Sequence, residues 1–155
     1  MSRKRRNLPS FTEVEIKDIA DSGKSVAKID GMVVFVSKVV PGDVVDIQVV
    51  KKKKSYMEAL PTHFHQYSPD RIDAFCEYFG TCGGCKWQYL SYEKQLQYKQ
   101  KQVTDALSRI GKMALPECQP IIPSKNTTFY RNKLEFTFTN TRWLTKEDIE
   151  NASQF

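Results

Sequence analysis

The sequence predicts an α+β chain: a small antiparallel β-barrel of the OB type, then a cysteine-rich loop, a helix and the first strand of a second domain. Three observations carry that prediction. Short β runs with alternating polarity follow one another through the first sixty-odd residues, separated by tight-turn dipeptides. A ten-residue stretch, 76–85, then holds three of the four cysteines together with three glycines. After it comes one long segment of helical periodicity.

Residues 1–9 are basic and read as a mobile arm. From Phe11 the chain turns to β runs, with VEIKDI and SVAKI each alternating apolar and polar positions. Asp30-Gly31 separates SVAKI from MVVFV, and this dipeptide supplies the positive φ values of a tight hairpin turn. Pro41-Gly42 precedes VVDIQVV, the proline fixing one turn position and the glycine freeing the next. Lys51, Lys52, Lys53 and Lys54 divide VVDIQVV from SYMEALPTHF. Four adjacent like charges resist burial, so they mark a solvated hairpin tip or strand end.

Ser91 is placed to cap a helix from Tyr92 to about Ile110, with Glu93 suited to the positive end of the helix dipole. Leu96, Val103, Leu107 and Ile110 fall on one stripe, expected to be core, and Gly111 is a natural stop. After the loop PECQPIIPSKN, the run FYRNKLEFTFT alternates Leu134, Phe136 and Phe138 with polar neighbours and predicts a strand. The closing TKEDIENASQF opens like a helix and stops, which reads as a chain cut short.

A net charge of +6 favours a polyanionic partner. No apolar run approaches the roughly 20 residues that cross a bilayer, and no apolar core follows the basic start, so a membrane or secreted protein is not expected. The expected compartment is the cytoplasm, where clustered cysteines point to a metal rather than to disulfides.

Cys76, Cys82 and Cys85 are spaced C-x5-C-x2-C. Thiolates two residues apart can converge on one centre, and the intervening glycines let the backbone wrap it. Zinc would need a fourth ligand, with His63, His65 and Cys118 as candidates. A cubane iron–sulfur cluster would need one remote cysteine. The residues by themselves leave both open.

CEYFGTCGGCKWQ, the basic helix and FYRNKLEFTF, in that order, resemble the S-adenosylmethionine-dependent RNA uracil-5-methyltransferases, above all those that modify 23S ribosomal RNA. The preceding β segment is similar to the TRAM domain of the same enzymes. The resemblance covers roughly residues 10–145 and implies a division into an arm (1–9), a TRAM-like RNA-binding barrel (10–66), an iron–sulfur loop and helix (67–125) and the start of a truncated central or catalytic domain (126–155). It implies that Cys76, Cys82 and Cys85 are ligands of a 4Fe–4S cluster. Cys118 lies before the FYRNK run, whereas the family's fourth ligand lies well after it, so it reads as an ordinary thiol. Trp87 and Tyr89 are expected to shield the cluster.

In this family a cysteine thiolate adds to C6 of a flipped uracil, the methyl group goes to C5, and a carboxylate removes the C5 proton. No cysteine follows Cys118 and no G-x-G-x-x-G turn is present, so this chain alone is expected to be inactive, with neither catalytic nor donor-binding residues. What remains is RNA binding, assigned to Lys51, Lys52, Lys53, Lys54, Arg131 and Lys133. The expected partner is structured RNA, 23S rRNA in particular, with no DNA or membrane partner and a monomeric chain. The alternatives are a stand-alone RNA-binding TRAM/OB module and a zinc-binding adaptor.

Overall fold

Valine and isoleucine at every second position give a strand one face to bury, and the first half of the chain uses this repeatedly. In a computed structural model, which describes residues 8–20, 22–130, 133, 135 and 138–152, six strands form. They are β1 (Ser10–Glu15), β2 (Asp18–Ile19), β3 (Ser25–Ile29), β4 (Met32–Val36), β5 (Val44–Lys52) and β6 (Tyr56–Gln66). They make one sheet in the order β1-β5-β6-β4-β3-β2, antiparallel throughout except for the parallel pair β4–β6. Val34, Val36, Val45, Ile47 and Val49 project to the same side and are buried with Met57, Ala59 and Ile16. At roughly 1.5–3 kcal/mol for each large aliphatic side chain, this row is the main stabilising contribution to the sheet.

The predicted barrel is not closed by hydrogen bonding: β1 and β2 are the two edges of an open, OB-like sheet. The run VEIKDI is two pieces rather than one strand. Its backbone changes partner at one step, because the Ile16 amide donates to the Asp43 carbonyl (2.9 Å) and the Lys17 amide to the Val26 carbonyl (2.9 Å). The chain turns this corner to pass from β1 on one edge to β2 on the other. Just before it, Glu13 takes φ +51° at a bulge, and its amide donates to Asp46 Oδ1 at 2.9 Å.

Both predicted turns form. Asp30 and Gly31 take φ +48° and +77° between β3 and β4. Gly42 takes φ +91° after Pro41, and the Asp43 amide donates to the Val40 carbonyl (3.1 Å) across the turn. The lysine tract also lies where expected: Lys51 and Lys52 end β5, and Lys53 and Lys54 stand in the turn to β6.

That Pro-Gly turn delivers Asp43 to the centre of the molecule, fully buried. Its carboxylate accepts from the Val40 amide (2.8 Å), the Ser68 amide (2.9 Å) and Arg71 Nη2 (2.6 Å) and Nε (3.3 Å). The guanidinium lies 4.6 Å from the Tyr89 ring centre and 5.2 Å from that of Phe64. Arg71 also forms an isolated antiparallel bridge with Leu90. Leu90 is fully buried beside Ile19 and Val40, with Trp87, Tyr89 and Tyr98 packed around them. The cysteine segment is thus fastened to the sheet by a buried ion pair and a second small core.

Helix α1 (Tyr92–Asp105) begins as predicted, with Ser91 Oγ accepting from the Lys94 amide and Glu93 in the first turn. It continues as a π-helical segment, Ala106–Ile110, up to Gly111. The predicted core stripe is not core. Val103 and Ile110 are 59% and 82% exposed, and no residue of α1 is fully buried. The helix docks through a different face. Tyr98 packs into the second core, Gln95 Nε2 donates to the Trp87 and Leu90 carbonyls (3.2 and 2.9 Å), and Lys101 reaches Asp18 at 2.6 Å. Those contacts centre about two fifths of a turn from the stripe.

The predicted strand at FYRNKLEFTFT is not found among the described residues; Lys133, Glu135 and Phe138 are outside any strand, and Phe138 is 96% exposed. Arg131, Leu134 and Phe136 of that run lie outside the described residues, as do residues 1–7 of the arm. A strand needs a neighbour to satisfy its amides, and no described strand runs alongside. The final helix forms as expected, α2 (Lys146–Ala152), with Thr145 Oγ1 accepting from the Asp148 amide (3.2 Å) and Asp148 Oδ2 accepting from the Thr145 amide (2.7 Å).

Asp43→Ala is expected to lower stability by about 3 kcal/mol, because it strands a largely covered guanidinium and two buried amides. Urea unfolding at neutral pH tests this, and a loss under 1 kcal/mol would contradict it. Glu58 gives a second prediction. It sits between Lys24 (2.6 Å) and Lys51 (2.7 Å), which hold its pKa at about 2 against an ordinary 4.5. A depressed carboxylate pKa stabilises the fold above the unfolded value and loses that contribution as pH falls from about 4.5 towards about 2. The melting difference between wild type and Glu58→Gln should therefore narrow over that window and vanish below it.

Candidate nucleic-acid and cysteine-loop site

Gly80 and Gly83 take φ +82° and +74°, letting the cysteine loop double back twice. The Phe79 amide donates to the Cys76 carbonyl (3.0 Å), and the Thr81 and Cys82 amides to the Tyr78 carbonyl (both 3.1 Å). Gln88 Oε1 accepts from the Cys76 amide at 3.3 Å, tying the start of the loop to its exit. Phe79 stands edge-on to Tyr89 at 4.6 Å, so the loop hangs from the aromatic group that holds Arg71.

All four cysteines are free thiols. Cys76 is half-buried, whereas Cys82, Cys85 and Cys118 are exposed. The Gly84 amide points at Cys82 Sγ (3.4 Å). The donor set suits an iron–sulfur or zinc centre, with three thiols on one glycine-rich loop. In the conformation described they are not drawn together: among the described residues no three His, Cys, Asp or Glu side chains are grouped closely enough to hold a metal ion. Cys118 lies apart, its thiol directed to the Pro116 carbonyl at 3.6 Å. His63 and His65 sit on β6, ring to ring at 4.8 Å, with His65 Nε2 2.6 Å from Asp46 Oδ1. The Glu13 amide and His65 together lower the Asp46 pKa. The histidines belong to the sheet surface and are not part of a group with the cysteines.

The predicted RNA-contact lysines differ in their availability. Lys51 is paired with Glu58, whereas Lys52, Lys53 and Lys54 are exposed and make no ion pair among the described residues. Lys133 pairs with Glu135 at 3.2 Å, and both side chains are largely exposed. Trp87 and Tyr89 pack into the second core, and Trp87 also lines a hollow that contains Cys85.

The tertiary structure adds residues that the sequence did not single out. Lys38, Lys86 and Lys99 line adjoining hollows between the sheet, the cysteine loop and α1. They are 61 positions apart in sequence at the extremes, and no motif links them. At the floor of this seam the Trp87 indole N–H is buried against Gly23 and has no hydrogen-bond partner among the described residues. A Cβ on Gly23 would lie 2.7 Å from Lys86 Cβ and 3.0 Å from Trp87 Nε1. The glycine is what lets the β2–β3 turn touch the loop.

A TRAM domain model matches residues 10–60, the span that folds as most of the six-stranded sheet. An RNA methyltransferase of Bacteroides thetaiotaomicron, itself uncharacterized, is 56% identical over 131 residues, which is 84% of this chain and 29% of that protein. The match therefore runs beyond the sheet and takes in the cysteine loop and α1. Residues 10–60 thus match a TRAM domain, and most of the chain is similar to one part of proteins named RNA methyltransferases. A second such protein, from Porphyromonas gingivalis, is 50% identical over 137 residues, 88% of this chain and 30% of its own length. The chain thus spans under a third of the curated relatives it matches. A solution structure from Methanococcus maripaludis is 29% identical and covers 40% of this chain and 91% of its own, with a TM-score of 0.33, too low to argue fold from. No helix among the described residues is long and apolar enough to cross a membrane.

Gly23→Ala should separate the turn from the loop, because its Cβ meets Lys86 and its φ of +76° disfavours a side chain. A stability loss of about 1–3 kcal/mol is expected. Trp143 is already exposed, so a red shift in tryptophan emission would report Trp87 opening to water. An unshifted spectrum and an unchanged melting temperature would contradict this account of the contact.

Proposed function

We propose that this chain is the RNA-binding and cluster-binding front part of an S-adenosylmethionine-dependent RNA uracil-5-methyltransferase that acts on 23S rRNA. The observation that carries the reading is the joining of two parts into one body. The TRAM-matching sheet and the cysteine loop share the Asp43–Arg71 pair and the Leu90 core. RNA held on the sheet is then held at a fixed position relative to the loop. Methyl transfer itself is assigned to the length that the relatives have beyond the part matched here.

Cys76, Cys82 and Cys85 would supply three thiolates to a 4Fe–4S cluster, with the fourth ligand coming from outside these 155 residues. When bound, such a cluster cross-links the loop and can exchange an electron. The chain's own residues shape its setting: Gly80 and Gly83 allow the wrap, the Gly84 amide points at a sulfur, and Phe79 and Tyr89 fix the loop to the sheet. The exposed Lys52, Lys53 and Lys54 at the β5–β6 tip carry the RNA-phosphate role, while Glu58 neutralises Lys51. Arg131 and Lys133 are retained as RNA contacts on the resemblance of the FYRNK run.

The test is anaerobic purification followed by measurement of iron, acid-labile sulfide and zinc in wild type, Cys82→Ala and Cys118→Ala. Iron and sulfide in wild type and Cys118→Ala, but lost in Cys82→Ala, are expected. Stoichiometric zinc that disappears with Cys118→Ala would replace the cluster by a four-ligand zinc site.

A further inference from the structure

We infer that the seam between the sheet, the cysteine loop and α1 is a track for a single RNA strand, with phosphates over Lys38, Lys86 and Lys99 and one unstacked base in the cavity beyond them. The inference rests on the RNA-binding reading and adds to it a location and a strandedness.

Three hollows adjoin to form the seam. The first, about 150 Å³, lies between the strand ends and the loop and is walled by Ser37, Lys38, Gly80, Gly83 and Lys86. The second shares Cys85 and Lys86 with it and extends to Trp87 and Lys99. The third, about 360 Å³, shares Gln95, Lys99 and Tyr130 with the second and ends at Phe75 and Tyr92. Its volume falls within the range of small-molecule sites and suits a nucleoside.

The seam's lysines differ from several others on the surface. Lys24, Lys51, Lys94 and Lys101 each pair with a carboxylate. Lys38, Lys86 and Lys99 make no ion pair with a described residue, and no described carboxylate lines the first two hollows. Lys99 instead lies over the Trp87 ring at 5.9 Å, which orients its ammonium without neutralising it. Gly83 has nothing within 4 Å of a notional Cβ, so a phosphate can approach the loop backbone closely. Unpaired cations spaced along a groove are the requirement for tracking a phosphate backbone.

The far end has the chemistry of base recognition. Phe75, Tyr92 and Tyr130 offer ring faces, and Phe75 and Tyr130 are largely exposed. Gln88 uses its Oε1 on the Cys76 amide and keeps its Nε2 to donate. Gln95 uses its Nε2 on two carbonyls and keeps its Oε1 to accept. With the Asp73 carboxylate, the cavity presents both senses of hydrogen bond beside aromatic surface. A paired, stacked base cannot reach such a pocket, which is why the track selects a single strand.

The experiment measures binding of the 155-residue chain to a fluorescent 12-nucleotide RNA, single-stranded or annealed to its complement, across a salt series. Wild type should prefer the single strand. K38Q/K86Q/K99Q keeps the side-chain stems, and should weaken single-strand binding at least tenfold and lower its salt slope by about 2, at roughly 0.7 per lost phosphate contact. F75A/Y130A should weaken it about five- to hundredfold with the slope unchanged, as loss of base stacking requires. A 2-aminopurine reporter quenched by wild type but not by F75A/Y130A would support the base pocket. RNA binding that both variants leave intact, while substitutions at Lys52, Lys53 and Lys54 reduce it, would overturn the track and leave the RNA-binding reading standing. No binding of either RNA by wild type would overturn both.

Discussion

A carboxylate removed from water has to be surrounded by donors, and Asp43 meets that demand with groups from both halves of the described structure. The Val40 amide comes from its own turn, and the Ser68 amide and the Arg71 guanidinium come from the segment leaving the sheet. Gly42 is part of the same arrangement, since a Cβ there would lie 2.8 Å from Ser68 Oγ. Because Arg71 in turn sits against Tyr89 and bridges Leu90, the path of the chain into the cysteine loop depends on one buried negative charge. Buried ion pairs add little net stability compared with an apolar substitute, but breaking one is costly. That asymmetry suits a joint that must have one geometry.

Helix α1 follows a different rule. It is attached through amides, an ion pair and one tyrosine, while its aliphatic stripe faces outward. The polar attachment works because the helix crosses the exit of the cysteine loop, where Gln95 donates to the Leu90 carbonyl and adds a second bond to the Trp87 carbonyl, which already accepts from the Leu90 amide. Sequence periodicity identifies which side chains share a face of a helix. It does not say which face meets the protein.

Electrostatic availability is similarly a tertiary property. The chain is strongly basic, yet several of its lysines are taken up by Asp18, Glu58, Asp70 and Asp105. Unpaired charge remains at the β5–β6 tip, which the lysine run marks in the sequence, and along the seam, which no local count of lysines distinguishes. The same pairing lowers the Glu58 pKa, so one carboxylate both steadies the middle of the sheet and removes Lys51 from the basic surface.

The sequence by itself determined the features whose causes are local. Asp30-Gly31 and Pro41-Gly42 dictate their turns through backbone φ, Ser91 dictates the start of α1 through its hydroxyl, and alternating valines dictate strands with one buried face. The ordered motifs also carried the relationship to RNA methyltransferases, because identity extends through the cysteine loop and α1. Tertiary structure alone decided that VEIKDI breaks at Ile16 to change partner and that the sheet stays open. It alone decided that the helix stripe faces outward and that Lys38, Lys86 and Lys99 share a seam. Each of these depends on which distant groups meet, and pairing a carboxylate, a carbonyl or an edge amide is a long-range choice that no residue's own preference encodes.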